Sequence, residues 1–219
     1  MKKRIFDIAV SIVILITAWP IYFIVACIIY IEDRGNVFFL QKRIGKGGVV
    51  FNLMKFRSMV SGAEAKGTGL YSYQGDSRIT KVGRFIRKAS LDELPQVFNV
   101  LRGEMSIVGP RPPVIYELGP WTEYTPEMLK RFTVNPGITG LAQVSGRNEN
   151  DWDLKIKFDN EYVDLYQRKG LFIDVEILLK TFFVVVFGGG TIEASEAKDE
   201  GPISRKARVA AEDYLRGKG

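Results

Sequence analysis

The sequence contains no histidine. That removes the side chain most used as a general base near neutral pH and the commonest metal ligand. Acid–base or metal chemistry in this chain therefore falls to carboxylates, with lysine, arginine or backbone in support. There is one cysteine, Cys27, so an internal disulfide is excluded. Cys27 lies in an apolar run, where a thiol serves as a small packing residue. No Walker A sequence occurs, and no G-x-G-x-x-G follows a strand-like segment, so the familiar nucleotide cradles are missing. There is no internal repeat, and no regular strand–helix alternation of the kind that builds a doubly wound sheet.

What is present is an excess of positive charge. The chain has 219 residues, a net charge of +6 and a pI near 9.3. That length suits one domain with a sizeable core and room for an appendage. The charge favours an anionic partner: nucleic acid, anionic lipid or a phosphorylated substrate.

Residues 8 to 31, IAVSIVILITAWPIYFIVACIIYI, carry no charge. At about 1.5 Å per residue a helix of this length would cross a bilayer core. The run is too long for a signal peptide and lacks an A-x-A site after it. Pro20 sits near its middle, where it removes a backbone donor. Basic residues flank both ends: Lys2, Lys3 and Arg4 before, Arg34, Lys42, Arg43 and Lys46 after. The positive-inside rule then gives neither end the advantage. Two arrangements stay open on these features, a kinked span and a helix that bends at Pro20 and returns to the face it entered.

A second apolar stretch, residues 171 to 187, is interrupted by Asp174, Glu176 and Lys180. It suits a helix lying in the membrane interface or packed on the domain, not a deep span. From Gly188 the chain becomes polar and basic, with a short helix expected to end near Arg216. This tail either touches anionic headgroups or is solvated. Between the two apolar stretches the pattern predicts a hairpin with strands at 37–40 and 49–53, and a polar loop at 61–78. Helices are expected at 79–87, 91–101, 126–132 and 151–167, a short strand before Pro110, and a Gly-punctuated loop at 135–147. The fold class is α+β.

SLDELPQ, residues 90 to 96, places Asp92 beside Glu93 just after a basic run. Ser90 and Glu93 have the spacing of a capping box, with Ser90 as N-cap. Pro95 fits better if Asp92 is the cap. Either register sets Asp92 at the positive end of a helix, which favours its ionised form and a nearby phosphate. An ionised carboxylate can attack phosphorus to give an acyl phosphate, provided cations or a divalent metal neutralise the charge. Cations are available. Lys55 and Arg57 are two apart at a strand end, so on one face if the strand continues. Arg111 is mounted between Pro110 and Pro112, and Arg147 ends a Gly-rich loop. Arginine suits bidentate phosphate contact.

The ordered set of a Pro-broken N-terminal helix, KFRSM (55–59), SLDELPQVFNVLRGEMSIVGPRP (90–112) and PGITGLAQVSGR (136–147) resembles the monotopic phosphoglycosyl transferases of the bacterial sugar transferase family. The resemblance covers most of residues 1–187. It implies transfer of a sugar-1-phosphate from a UDP-sugar to polyprenol (undecaprenyl) phosphate, with release of UMP, as the first membrane step of surface-glycan assembly, for example of exopolysaccharide. It implies Asp92 as nucleophile, Glu93 as its assistant, and Mg²⁺ close to both. It assigns Lys55, Arg57, Arg87, Pro110, Arg111, Pro112, Gln143, Arg147 and Asp159 to substrate binding. It also implies a re-entrant helix broken at Pro20, with the domain on the cytoplasmic face of the bacterial inner membrane. Trp19 departs from the family, which often has serine before that proline.

The expected organisation is a re-entrant membrane helix at 1–34, a catalytic domain with interfacial amphipathic helices at 35–187, and a polar tail at 188–219. Expected partners are the UDP-sugar, the polyprenol phosphate and membrane lipid, with no nucleic acid. Apolar surface on the anchor could join a homodimer or face lipid. The rival readings are a transferase with direct attack by the lipid phosphate, and a membrane-anchored basic binding protein.

Overall fold

The computed structural model describes residues 1–63, 75–146, 151–187, 203 and 209. Arg147, most of the 61–78 loop and the expected tail helix lie outside the described residues.

The uncharged run forms α1, Lys2–Asp33. It is the one helix among the described residues long and apolar enough to cross a membrane, with a mean hydropathy of 2.7. The helix is continuous through Pro20. In the turn before it, Thr17 Oγ1 donates back to the Val13 carbonyl at 2.8 Å. Only a narrow stripe of α1 is buried, and Ile16, Trp19, Phe23, Ile24 and Ile31 are all exposed.

That stripe touches the domain at both ends. Near the start, Lys3 pairs with Asp174 at 2.7 Å, Arg4 donates to the Val100 and Leu101 carbonyls, and Asp7 accepts from Ser106 Oγ and the Ile107 N–H. Near the end, Val25 and Ile29 pack with Phe56 and Ile86, Tyr22 donates to the Leu94 carbonyl at 2.6 Å, and Asp33 pairs with Arg57.

The predicted hairpin forms and is longer than expected: β1, Phe38–Ile44, and β2, Val50–Phe56, pair antiparallel around a 3₁₀ turn. After Thr80, whose hydroxyl caps the Gly83 N–H, comes α2, Lys81–Lys88. A 3₁₀ turn at Leu91–Glu93 leads to α3, Gln96–Arg102, and then β3, Ser106–Val108. α4, Pro126–Lys130, is capped by Thr125 and precedes β4, Gly137–Thr139. The loop expected at 135–147 thus contains β4, parallel to β3, and α5, Leu141–Gly146. α6, Trp152–Lys169, is capped by Asp151, and α7, Leu171–Phe187, follows one glycine later.

The larger core joins Leu53 of β2, Val100 of α3, β3, Tyr162 of α6 and Ile177 of α7, with Val10 and Ile14 of α1 packed against it. A second cluster gathers Ile44, Phe132, Trp152 and Ile156. Each fully buried aliphatic side chain stabilises the fold by roughly 1.5–3 kcal/mol. α7 is two-faced: Ile173, Asp174 and Ile177 are buried, while Phe172, Leu179, Phe183 and Phe187 are exposed. Exposed apolar rows of this kind mark a surface that meets lipid or another protein.

Candidate active site

The SLDELPQ segment does not form the capping box. Ser90 adopts a left-handed conformation (φ 55°) and its side chain caps nothing. It reverses the chain after α2, so Asp92 and Glu93 fall in a 3₁₀ turn. Pro95, which has no N–H to lose, stands as the N-cap of α3. Glu93 is drawn instead into charge-assisted bonds, which outweigh a cap bond to a neutral N–H. Its Oε1 receives Lys55 Nζ at 2.9 Å and Arg111 Nη2 at 2.8 Å, and Arg111 Nη1 lies 3.5 Å from Oε2.

Their surroundings shift the pKa values of the two neighbouring acids in opposite directions. Burial pushes Glu93 up, but Arg111 and Lys55 together override it and hold its carboxyl far below the usual range. Asp92 is 8% exposed, and its carboxylate makes no hydrogen bond or ion pair with the described residues. Burial raises its pKa, opposed by Lys55, Arg87 and Arg111. Among the described residues the turn therefore offers one carboxylate gripped by cations, Glu93, and one unpaired carboxylate beside them, Asp92.

Arg111 owes its position to an unusual backbone. Pro110, Pro112 and Pro113 have no N–H, so this stretch can accept hydrogen bonds but has only one donor of its own. Every carbonyl from 110 to 113 is met from outside. The Gly137 N–H donates to Pro110, Arg131 Nη2 to Arg111, Arg43 Nη1 to Pro112 and the Ile44 N–H to Pro113. The approach to β4 is close enough to require glycine: a Cβ on Gly109 would lie 2.4 Å from the Asn135 carbonyl oxygen. Below, Lys3 and Tyr162 both donate to the carbonyl of Val108.

Arg131 is 2% exposed and pairs with Asp159 at 2.8 Å, with the Phe132 and Trp152 rings 5.3 and 5.0 Å from its guanidinium carbon. Burial pushes the Asp159 carboxyl up to about 6 against the pull of Arg131. Asp159, expected at the substrate, is thus turned onto Arg131 beneath the proline loop.

Lys55 and Arg57 do not share a target. β2 ends at Phe56, and the chain turns Arg57 toward Asp33 at the end of α1 while Lys55 reaches Glu93. Arg87 is near enough to Asp92 to lower its pKa. Gln143 donates to the Ile138 carbonyl at 2.9 Å, on β4. The structure thus brings Asp92, Glu93, Lys55, Arg87 and Arg111 together, with Pro110 and Pro112 flanking Arg111, and directs Arg57, Gln143 and Asp159 elsewhere. The residues that sequence reasoning missed are Arg43 and Arg131, which hold the proline loop. Three prolines in four residues signal a need for outside donors, but nothing local says which arginines supply them.

A profile of the family described as bacterial sugar transferase matches residues 1–188. The chain belongs to the bacterial sugar transferase family. An undecaprenyl-phosphate galactose phosphotransferase of Salmonella typhimurium is 43% identical over 203 residues, covering 84% of this chain and 40% of that protein. An undecaprenyl-phosphate glucose phosphotransferase of Komagataeibacter xylinus is 38% identical, covering 85% of this chain and 36% of that protein. The exopolysaccharide production protein ExoY of Rhizobium meliloti is 37% identical, covering 87% of this chain and 88% of that protein. The chain spans 36% to 41% of the length of several such relatives, and most of ExoY.

Within this family member the Asp92–Glu93 turn is packed directly against α1 through Leu94, Tyr22 and Phe56. The described residues hold no cluster of three or more carboxylate or thiol ligands. Mg²⁺ commonly binds through one or two carboxylates plus substrate phosphates and water. The unpaired Asp92 carboxylate fits that mode, whereas Glu93 Oε1 is already taken by Lys55 and Arg111.

Proposed function

We propose that this sugar transferase moves a sugar-1-phosphate from a UDP-sugar to undecaprenyl phosphate through a covalent intermediate on Asp92. The observation that carries the reading is the contrast at the turn: an unpaired, buried Asp92 beside a Glu93 that gathers Lys55 and Arg111. The names of the phosphotransferase relatives support the acceptor and the class of reaction.

In the first step a carboxylate oxygen of Asp92 bonds to the β-phosphorus of the UDP-sugar. The bond from that phosphorus to the bridging oxygen breaks, and UMP leaves with the electron pair. In the second step an oxygen of the lipid phosphate attacks the same phosphorus. The acyl-phosphate bond breaks, Asp92 returns as a carboxylate, and the lipid carries a diphosphosugar. Neither attack needs histidine. Lys55, Arg87 and Arg111 neutralise the charge that collects as two anions meet. Glu93 keeps Lys55 and Arg111 aimed at the turn. Mg²⁺, held by Asp92 with the donor's phosphates, would supply further neutralisation.

The reading places the enzyme on the cytoplasmic face of the inner membrane, with α1 entering and leaving by that face and the outer rows of α1 and α7 in lipid. Support comes from the contacts at both ends of α1 with one domain, which a straight transmembrane crossing would separate by a bilayer. Such an arrangement sets Asp92 where a soluble nucleotide-sugar and a headgroup-level phosphate can both arrive. Single cysteines replacing Lys2 and Arg34, in a Cys27→Ser background, should both react only with reagent admitted to the cytoplasm. Labelling of one end from outside would refute re-entry.

The transfer itself is tested with undecaprenyl phosphate, Mg²⁺ and a panel of UDP-sugars. The expected products are UMP and a lipid-linked diphosphosugar. Release of UDP would mean transfer of the sugar without its phosphate and would contradict the reading.

A further inference from the structure

Beside the Asp92–Glu93 turn is a recess lined by Arg43, Leu53, Lys55, Gln96, Arg111 and Pro112. Gln96 opens α3, one turn after Asp92, and is 2% exposed. Its Nε2 is buried and has no hydrogen-bond partner among the described residues. A buried donor without an acceptor forfeits its hydration and gets nothing in return. An apolar residue of the same length would be more stable there. The amide is explained if its acceptor arrives with a ligand.

The other walls identify that ligand's chemistry. Lys55, Arg111 and Arg43 make the recess positive, so an anion is favoured. Nε2 can only donate, so the anion must offer an acceptor oxygen. Arg43 is committed to Gln41 and to the Pro112 carbonyl. The recess is closed in this structure, and two of its walls, Lys55 and Arg111, are bound to Glu93. Both are long side chains that can swing onto an arriving phosphate and open the recess. Gln96 is fixed at the start of a helix and buried among these groups.

We propose that Gln96 is a substrate-binding residue whose amide N–H donates to a phosphoryl oxygen of a reacting substrate. The inference rests on the transferase reading above. The oxygen belongs either to the diphosphate of the nucleotide-sugar or to the phosphate of the lipid acceptor. In both cases the same group weakens the free protein and strengthens the complex, a trade of stability for function.

Gln96→Met tests this, with Gln96→Glu as a second variant of nearly the same shape that replaces the donor with a carboxylate. Melting of the full-length protein in detergent is followed with and without UDP, and turnover is measured against each substrate. Gln96→Met is expected to melt at or above the wild-type temperature without ligand. If the oxygen is the donor's, stabilisation by UDP weakens by about tenfold in concentration and KM for the UDP-sugar rises by at least as much. If it is the acceptor's, UDP binding stays intact and KM for undecaprenyl phosphate rises instead. Gln96→Glu should weaken the same step further. Two results would overturn the proposal: unchanged UDP binding and unchanged KM values for both substrates, or a Gln96→Met protein that melts lower and loses activity only in proportion to unfolding. If wild-type protein neither binds UDP nor turns over, the transferase reading fails and the proposal falls with it; normal wild-type behaviour with an indifferent Gln96→Met removes Gln96 alone.

Discussion

Arg131 donates to the main-chain carbonyl of Arg111, so the cation that grips Glu93 is itself held from below by a second guanidinium. Asp159 completes the chain by pairing with Arg131. Both members of this pair are almost wholly buried, and breaking such a pair leaves an uncompensated charge that costs about 3–5 kcal/mol. Asp159→Leu or Arg131→Met alone should therefore lower stability by that order in a denaturant titration. The double variant should recover most of the loss, because it removes both charges. Turnover should stay low in the double variant, since the Arg111 carbonyl still lacks its donor. Full activity in a stable double variant would show that the pair serves folding alone.

Lys55 and Arg57 look equivalent in KFRSM and are not. Lys55 reaches Glu93, whereas Arg57 meets an Asp33 whose side chain is 38% exposed. Lys55→Ala should reduce turnover by about 100-fold or more, the scale of losing one charge-stabilising group. Arg57→Ala removes a partly solvated pair worth about 0–1 kcal/mol and should leave turnover within about threefold. Steady-state rates of the two purified variants decide this, and equal losses would contradict the assignment.

The two acids should titrate on opposite sides of the ordinary carboxyl range. Burial raises Asp92 above its ordinary 3.8, so adduct formation should fall with acid at a pH above that value. Lys55 lowers the Asp92 pKa, so Lys55→Met should move this limb to higher pH. Glu93 is depressed below its ordinary 4.5. Its contribution to stability is therefore present above about pH 4.5 and lost as pH falls toward its folded value, and Glu93→Gln should flatten that acid decline. The checks are the pH dependence of the single-turnover rate and of the melting temperature.

The parts of the fold governed by local pattern were legible in the sequence. The uncharged run, the hairpin around its Gly/Lys turn, and the helices behind Asp151 and Thr125 follow from hydropathy period and capping. Asp92, Glu93 and Arg111 stood out because paired acids and a proline-mounted arginine are uncommon. Where the structure departs from local pattern, the cause is a partner far away in sequence or a turn of the backbone itself. The capping box fails because Lys55 and Arg111 take Glu93, and a left-handed Ser90 cannot present its hydroxyl. Arg57 leaves the face it shares with Lys55 because the strand ends one residue too early. Local pattern shows loop at β4 because a three-residue parallel strand gains its ladder only from β3, where Gly137 and Thr139 pair with Ser106 and Val108. Asp159 carries no local mark of Arg131, which lies on another element.

The central claim is that Asp92 carries the phosphosugar. The most direct measurement is the intact mass of the detergent-purified protein after incubation with Mg²⁺ and each of a panel of UDP-sugars, without lipid. The account predicts a gain of one phosphosugar with the correct donor, discharged on addition of undecaprenyl phosphate and absent in a folded Asp92→Asn variant. Turnover with lipid present but no adduct under any condition, or full activity in Asp92→Asn, would contradict it.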